Sequence, residues 1–194
     1  MTRNIAFLIL AAGASSRFGS AKQLLMQRGQ PLLQNCIDKA NALMPGQVYV
    51  VLGANRELIE PAISGAAVMV NDNWADGLGS SIAQGVRGLD RDYDAVCILL
   101  ADQVAVTSEH LTQLVDAYYH NRDSGDRMVA AVYAGKRGVP ALFPATLFQQ
   151  LTELSGDSGA KQLLNQPDRE IIEIDLPAAA LDIDTPQDWA VYNR

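Results

Sequence analysis

Small and basic residues follow the first apolar stretch of the chain in a pattern that suits phosphate binding. The segment LILAAGASSRFGSAK, residues 8–22, passes into small residues and then places Arg17 and Lys22 five positions apart. Small residues let backbone N–H groups approach an oxyanion, and the two cations can bond successive phosphates. The spacing fits neither the GxGxxG nor the Gly-Lys-Ser/Thr template. These residues alone leave open a phosphate cradle and an ordinary strand-to-helix turn.

Two carboxylates further along the chain suit a hard cation such as Mg²⁺. Asp102 follows the apolar run AVCILLA, and it lies too far before the helix expected near residue 107 to cap it. The segment DIDTPQDWA, residues 182–190, contains a capping box that accounts for its Thr, its Pro and the Asp of QDW. Asp182 and Asp184 are left unexplained by capping. We expect Asp184 to join Asp102 at the same cation.

A second glycine-rich loop, NDNWADGLGSSIAQG, spans residues 71–85. Gly77 and Gly79 permit close backbone approach, and Ser80 or Ser81 is expected to open a helix whose N-terminus can face an anion or a base edge. Trp74 is interpreted as a packed aromatic residue. The two histidines, at positions 110 and 120, show no nucleophile or metal pattern, which disfavours a hydrolase with a catalytic triad.

The elements that would position these loops alternate between strands and helices. Short runs rich in Val, Ile and Leu predict strands buried on both faces at residues 5–11, 47–53, 67–71, 94–101 and 128–134. Helical faces are expected after residue 31, ending by Pro45-Gly46, and over 107–120, capped by Thr107 or Ser108. Residues 135–178 are less regular, with an extended segment before a helix near 145–154. This order predicts a mostly parallel, three-layer α/β/α sheet in one domain, residues 1–194. Ligands then bind outside the carboxyl ends of the strands.

Composition narrows the class of protein. The 194 residues are 48% hydrophobic and 19% charged, with a net charge of −7, which disfavours disorder and nucleic-acid binding. No run approaches the roughly 18 apolar residues of a membrane span. The apolar N-terminal run is interpreted as a first strand rather than a signal peptide. Cys36 and Cys97 are expected to be core thiols in a reducing compartment, so a cytoplasmic location is expected.

The quoted segments together resemble a known family. LAAGASSRFGSAKQLL is similar to the LAAGxSxRxGxxKxLL signature of the MobA/MocA-like nucleotidyltransferases. NDNWADGLGSSIAQG, LLADQ, GVPALFP, GDSGAKQLL and DIDTPQDW follow in the family's order, so the resemblance covers nearly the whole chain. Within the family, the chain most resembles the molybdenum cofactor cytidylyltransferases.

The resemblance implies a Rossmann-like domain of the nucleotide-diphospho-sugar transferase type. Such an enzyme joins a nucleoside monophosphate to the phosphate of a molybdopterin-type acceptor and releases pyrophosphate, and a molybdenum hydroxylase or its maturation factor is an implied partner. The implied catalytic residues are Arg17, Lys22 and Asp102, with Mg²⁺ at Asp102 and Asp184. The implied nucleotide contacts are Leu10, Ala11, Ala12, Gly13, Lys22, Gly77, Ser81 and Asp102. Gly156, Asp157 and Gly159 are implied contacts of the acceptor.

Several features leave the substrates open. Val104, Val139 and Ala145 stand where relatives often have proline, histidine and arginine, which puts the acceptor in doubt. Ala12, where guanylyltransferases of the family commonly have glycine, favours CTP over GTP because its methyl group would crowd a purine. Other phospho-acceptor cytidylyltransferases share the first motif, but ADQVAV lacks the Ala-Arg-Pro of the methylerythritol-phosphate enzymes. A carrier that binds the pterin cofactor without catalysis is the alternative outside the enzymes.

Overall fold

The computed structural model describes residues 3–121, 127–167 and 169–193. Its strands are β1 (Ile5–Leu10), β2 (Met26–Gln27), β3 (Gln30–Pro31), β4 (Val48–Leu52), β5 (Ala67–Val70), β6 (Ala95–Leu100), β7 (Met128–Tyr133), β8 (Lys136–Pro144) and β9 (Ile171–Asp175). Its helices are α1 (Leu32–Asn41), α2 (Arg56–Ile59), α3 (Leu78–Arg87), α4 (Ser108–His120), α5 (Phe148–Thr152), α6 (Lys161–Leu164) and α7 (Pro186–Tyr192). Strands and helices alternate along most of the chain, as the sequence predicts.

A seven-stranded sheet has the order β5-β4-β1-β6-β8-β7-β9. The pairs β5–β4, β4–β1, β1–β6 and β7–β9 are parallel, whereas β8 runs antiparallel to both β6 and β7. The short strands β2 and β3 form a separate hairpin. The mostly parallel sheet is therefore confirmed, and the extended segment expected after residue 135 is the reversed strand β8.

Helices cover both faces of the sheet. Ile5, Phe7 and Ile9 of β1 belong to a core that includes α1 and α4. The alternate residues of β1 belong to a second core with α3, α5 and α6. Because both faces of β1 are covered, its sequence is apolar throughout instead of alternating. The two cores make the three-layer α/β/α arrangement.

Local differences from the sequence predictions have clear causes. The strand predicted at 67–71 is partly exposed rather than buried on both faces, because β5 lies at the edge of the sheet. Helix α3 begins at Leu78, ahead of the serines expected to open it, with Gly77 as an N-cap that has no side chain to accept a bond from the helix. Helix α4 begins after Thr107, whose side chain forms the predicted cap, here a capping box with His110. No helix in the described part of the chain is long and apolar enough to cross a membrane.

Candidate active site

Three segments that are distant in sequence meet at the carboxyl edge of the sheet. Leu10 at the end of β1 pairs with Leu100 at the end of β6, so the loops that follow leave the sheet side by side. The N–H of Ala101 donates to the Leu10 carbonyl at 3.3 Å. The N–H of Ile183 donates to the Asp102 carbonyl, also at 3.3 Å, and draws in the segment before α7. This edge is where parallel α/β sheets bind ligands.

Lys22 lies between the two predicted metal-binding carboxylates. Its Nζ donates to Asp102 Oδ2 at 2.6 Å and to Asp184 Oδ1 at 3.0 Å. Arg17 contacts the other oxygen of Asp184 at 2.9 Å. The Lys22 and Asp102 side chains are 16% and 19% exposed, whereas that of Arg17 is 73% exposed. We call these four residues the charged wall; its inner ion pair, Lys22 with Asp102, is largely buried, and Arg17 extends into solvent.

The charges of this wall influence one another strongly. Burial by itself lowers the pKa of Lys22, but the charges and hydrogen bonds of Asp102 and Asp184 outweigh it and raise the pKa above its ordinary value. Lys22 is therefore fully protonated at neutral pH. Asp182 lies nearby, where partial desolvation, followed by the negative charges of Asp102 and Asp184, raises its pKa to about 6.

One carboxylate oxygen of the charged wall has no hydrogen-bond partner among the described residues. Asp102 Oδ1 is buried and has no hydrogen-bond partner within the described residues. A buried carboxylate oxygen without a partner is costly, and a bound cation would satisfy it. No cluster of three or more His, Cys, Asp or Glu suited to a metal occurs in residues 3–121, 127–167 and 169–193. A cation held here would thus need oxygen atoms from a ligand as well, which is how Mg²⁺ commonly binds with phosphates.

A cavity of about 400 Å³ opens beside the charged wall. Its lining includes every residue predicted to bind nucleotide or metal: Leu10, Ala11, Ala12, Gly13, Arg17, Lys22, Gly77, Ser81, Asp102 and Asp184. Asp157, predicted to contact the acceptor, lines the same cavity, whereas Gly156 and Gly159 lie outside its lining. The structure thus brings the predicted nucleotide-binding set together around one space.

Small residues packed backbone to backbone, some of which line the cavity, form a second part of the site. A methyl group on Gly77 would lie 2.5 Å from the carbonyl carbon of Gly156, and one on Gly79 would lie 2.7 Å from the Ser155 backbone. The N–H of Gly79 donates to the Gly156 carbonyl at 2.8 Å. We call Gly77, Gly79, Ser81 and residues 155–157 the glycine wall. It joins the loop expected to hold nucleotide to the loop expected to hold acceptor.

Trp74 connects the glycine wall to the strands. A methyl group on Gly53 would lie 2.6 Å from Trp74 Cβ and 2.9 Å from the Ala12 carbonyl oxygen. Trp74 packs against the second core and also lines the cavity. The interpretation of Trp74 as a packed aromatic is consistent with these contacts, and its ring additionally forms part of the cavity surface.

Three polar residues that the sequence did not single out hold the site in place. Gln23 is buried and donates to the carbonyls of Ala11 and Gly13 at 2.9 and 3.1 Å. Gln103 donates to the carbonyls of Val139 and Ala179 at 2.8 and 2.9 Å. The only available signal was position, because each glutamine directly follows a predicted site residue.

The third of these residues, Lys39, supports the turn after Asp102. Its Nζ donates to the Val106 carbonyl at 2.7 Å, and the N–H of Val104 donates to the Asp102 carbonyl at 2.9 Å. Proline, which relatives often have at position 104, could not form the second bond. This backbone bond therefore requires a residue other than proline at position 104.

The other two residues that differ from the family pattern, Val139 and Ala145, lie in different parts of the structure. The carbonyl of Val139 accepts the bond from Gln103 and another from the Tyr133 hydroxyl at 3.0 Å. Ala145 lies at the amino end of β6, where its N–H donates to the Asp94 carbonyl at 2.9 Å. Position 145 therefore lies at the end of β6 opposite to Asp102, away from the charged wall.

The fold and the site define the class of protein. A mostly parallel sheet with a small-residue loop, two cations and two carboxylates at its carboxyl edge is the arrangement of a nucleotidyltransferase. Solved structures share the fold: Rv0371c from Mycobacterium tuberculosis H37Rv aligns with a TM-score of 0.83 and 25% identity over 99% of this chain and 98% of that one. A manganese complex of Rv0371c aligns with a TM-score of 0.76 and 27% identity over 97% of each chain.

The family follows from the sequence comparison. The MobA-like NTP transferase domain matches residues 7–171, and the chain belongs to that family. The molybdopterin-guanine dinucleotide biosynthesis protein A of Archaeoglobus fulgidus shares the fold, with a TM-score of 0.67 at 15% identity over 96% of this chain and 95% of that one.

Curated relatives bear different names. Purine catabolism protein PucB of Bacillus subtilis (strain 168) is 26% identical over 96% of this chain and 95% of its own length. Nicotine blue oxidoreductase of Paenarthrobacter nicotinovorans is 29% identical over 82% of this chain and 80% of its own. The bifunctional protein GlmU of Cutibacterium acnes is 31% identical, but the match spans only 29% of that protein and 61% of this chain. The chain is therefore similar to proteins with different names and lengths.

Proposed function

We propose that this chain transfers CMP from CTP to the phosphate of a molybdopterin-type acceptor and releases pyrophosphate. The observation that carries the proposal is the Lys22 ammonium, held between Asp102 and Asp184 at the edge of the cavity. A fixed cation beside two carboxylates suits a triphosphate that brings its own divalent ion.

The reaction is a displacement at the α-phosphorus. An oxygen of the acceptor phosphate forms the new P–O bond, and the bond between the α-phosphorus and the bridging oxygen breaks, so that pyrophosphate leaves with that oxygen. The attacking oxygen is already anionic, so no protein base is needed. Alignment of the substrates and neutralisation of charge are what the protein must supply. This requirement agrees with a site rich in cations and carboxylates.

The two cations take different parts in this mechanism. Lys22 is largely buried and fixed, so it stabilises the charge that develops on the leaving pyrophosphate without reorganising. Arg17 is exposed and bonded only to one side of Asp184, so it can turn from that carboxylate to an outer phosphate. Gln23 donates to the carbonyls of Ala11 and Gly13 and so holds the backbone of this loop beside the cavity.

Asp102 and Asp184 are the residues that would hold a divalent cation, and we propose Mg²⁺. Such an ion, when bound, supplies positive charge to the phosphate oxygens. The buried, unpartnered Oδ1 of Asp102 supports this assignment on the protein side. Lys22 then shares its carboxylates with the ion and keeps them oriented toward the cavity.

The acceptor is proposed to lie against the loop of Gly156, Asp157 and Gly159. Asp157 lines the cavity, and the backbone of Gly156 is bonded to Gly79 on the side where nucleotide is expected. The family description and the name of the Archaeoglobus fulgidus neighbour support a molybdopterin-type acceptor. A molybdenum hydroxylase or its maturation factor would then receive the product.

The proposal for CTP rests on Ala12. Ala12 is buried, and its carbonyl accepts from the Ala54 N–H at 3.0 Å, which fixes the residue against the cavity. Its methyl group therefore cannot easily withdraw to admit a larger base. GTP is the competing donor, and the base preference decides between a cytidylyltransferase and a guanylyltransferase.

Thermal stabilisation by nucleotides tests the proposal. The unfolding temperature should rise with CTP and Mg²⁺ together, and less with GTP, ATP or UTP at the same concentration, since a ligand stabilises according to its occupancy. Stabilisation by GTP but not CTP would overturn the base assignment. Tight binding of the pterin cofactor, with no pyrophosphate formed at saturating nucleotide, would instead identify a carrier.

A further inference from the structure

A second cavity, of about 540 Å³, lies beside the start of β8 and is rich in cations. Its lining includes Lys136, Arg137 and Lys161, together with Asn165 and Glu173. We call this cavity the basic pocket. Three cations against one carboxylate are unexpected in a chain whose net charge is −7. A cavity with this local excess of positive charge suits an anionic ligand.

The three cations of the basic pocket are held in different ways. The Nε and Nη2 atoms of Arg137 contact Glu173 Oε1 at 2.7 and 2.6 Å, and its Nη1 donates to the Leu164 carbonyl at 3.1 Å. Lys136 and Lys161 are exposed, and neither forms an ion pair with any residue that the structure describes. Glu173 therefore offsets the charge of Arg137, and two ammonium groups are left for a ligand.

The basic pocket lies at the same edge of the sheet as the charged wall. Strands β6 and β8 are antiparallel, with Ile98 opposite Ala141, so residues 136–137 lie beyond the carboxyl end of β6. Asp157 lines the cavity beside the charged wall, and Lys161, four residues later, lines the basic pocket. The loop proposed to hold the acceptor therefore leads from one cavity to the other.

Asp182 gives a second, independent link between the two cavities. Burial, and then the charges of Asp102 and Asp184, raise its pKa to about 6, whereas the charges of Lys22 and Lys161 act in the opposite direction. Because both lysines influence the same carboxylate, the basic pocket lies within electrostatic reach of the charged wall.

We propose that the basic pocket binds a second negatively charged group of the acceptor, separate from the phosphate that attacks CTP. This inference rests on the proposed function, because it takes the acceptor to lie along residues 156–159. In a molybdopterin-type acceptor the group of this kind is the pair of thiolate sulphurs. Lys136 and Lys161 donate to this group, and Arg137 adds a fixed positive charge. An acceptor held at two points is aligned for attack by its phosphate.

Binding of the acceptor with and without its second charge tests the proposal. Metal-free molybdopterin, with its thiolates free or alkylated, is titrated into the full chain with Mg²⁺ and a CTP analogue that cannot be cleaved. Alkylation removes the negative charge of the sulphurs and keeps the phosphate. Lys161→Gln should weaken binding of the free-thiolate form about tenfold and binding of the alkylated form by less than about twofold. Its affinity for the CTP analogue should equal that of the wild type.

Two further variants separate charge from structure. Lys161→Arg keeps the charge and should bind the free-thiolate acceptor within about threefold of the wild type. Arg87→Gln removes an exposed cation at the end of α3, outside the basic pocket, and should change none of the dissociation constants. Lys136→Gln should behave as Lys161→Gln does, and it keeps the test valid if Lys161→Gln does not fold.

The outcomes distinguish this inference from the proposed function. Equal weakening of both forms of the acceptor by Lys161→Gln, or no weakening of either, would overturn the inference. Weaker binding of the CTP analogue alone would also overturn it and would assign the basic pocket to the triphosphate. Failure of the wild type to bind the CTP analogue, or to bind either form of the acceptor, would overturn the proposed function itself.

Discussion

The charged wall and the glycine wall face the same cavity but are built by opposite means. The charged wall draws Arg17, Lys22, Asp102 and Asp184 from three loops, and its members interact through their side chains over 2.6–3.0 Å. The glycine wall is assembled mainly by the close backbone approach of Gly77 and Gly79 to residues 155 and 156. Substitutions in the charged wall should thus act on the reaction, and substitutions in the glycine wall should act first on packing.

The largest expected effect is on the charged wall. Lys22→Ala should lower kcat/KM by at least about 100-fold, near 3 kcal/mol, by analogy with the loss of one preorganised donor to a developing charge. Arg87→Ala, which removes an exposed arginine at the end of α3, is the control for net charge. If steady-state kinetics with CTP gave Lys22→Ala a kcat/KM within about twofold of the wild type, the charged wall would not act on the reaction.

The glycine wall is tested by stability. Gly77→Ala and Gly135→Ala both place alanine at a positive φ, of 94° and 70°, but only the residue at 77 would then overlap a neighbouring backbone. Gly77 also has a ψ of 179°, a backbone region open almost only to glycine, so strain and overlap together should lower the free energy of unfolding by a further ~2 kcal/mol relative to Gly135→Ala. Urea denaturation measures both variants. Equal losses would mean that the contact between residues 77 and 156 is not tightly packed.

Substitution of Arg17 should lower activity and leave stability unchanged. Its side chain is 73% exposed, so its ion pair with Asp184 contributes little to folding. Arg17→Ala should keep the wild-type unfolding temperature while kcat/KM falls about tenfold through the loss of one phosphate contact. A clear fall in unfolding temperature with unchanged kinetics would make Arg17 a structural residue.

Ala12 is expected to influence the choice between CTP and GTP. Ala12→Gly should shift the ratio of kcat/KM for GTP over CTP upward by about tenfold, since one methyl group in a close pocket has roughly that effect on selectivity. The kcat/KM of the variant and of the wild type is measured for both nucleotides with the same acceptor. A ratio that does not move would remove Ala12 from base selection.

The smallest effect is expected at Val104, in the turn that follows Asp102. Val104→Pro removes the bond from the Val104 N–H to the Asp102 carbonyl and should lower the free energy of unfolding by about 1 kcal/mol. Val104→Ala keeps that N–H and controls for lost side-chain packing. If Val104→Pro were as stable as Val104→Ala, the backbone bond would not support the turn.

The strands and the charged wall were predictable because their signals are local. A strand covered on both faces reads as an apolar run, and β1, β4 and β6 each show one. A charged residue that directly follows such a run must lie at the carboxyl edge, which placed Asp102. The cap before α7 was equally readable, since Thr185 and Asp188 form the predicted capping box.

The glycine wall was less predictable because its contacts join segments far apart in sequence. Nothing near Gly77 indicates that its partner is Gly156, and glycine is common in loops for other reasons. The start of α3 was misplaced because Gly77 gives no side-chain cap. Buried glutamines such as Gln103 carry no local signal either, since their role appears only when distant carbonyls, here those of Val139 and Ala179, come within reach.

Transfer of label from CTP tests whether the chain moves CMP to the acceptor. With the acceptor, Mg²⁺ and CTP labelled at the α-phosphorus, the label should appear in the acceptor product, whereas label at the γ-phosphorus should appear only in pyrophosphate. Both signals should require the acceptor and should fall together in Lys22→Ala. Tight binding of acceptor and CTP by the wild type, with no α-label in the product and no pyrophosphate, would contradict the account and leave a binding protein in its place.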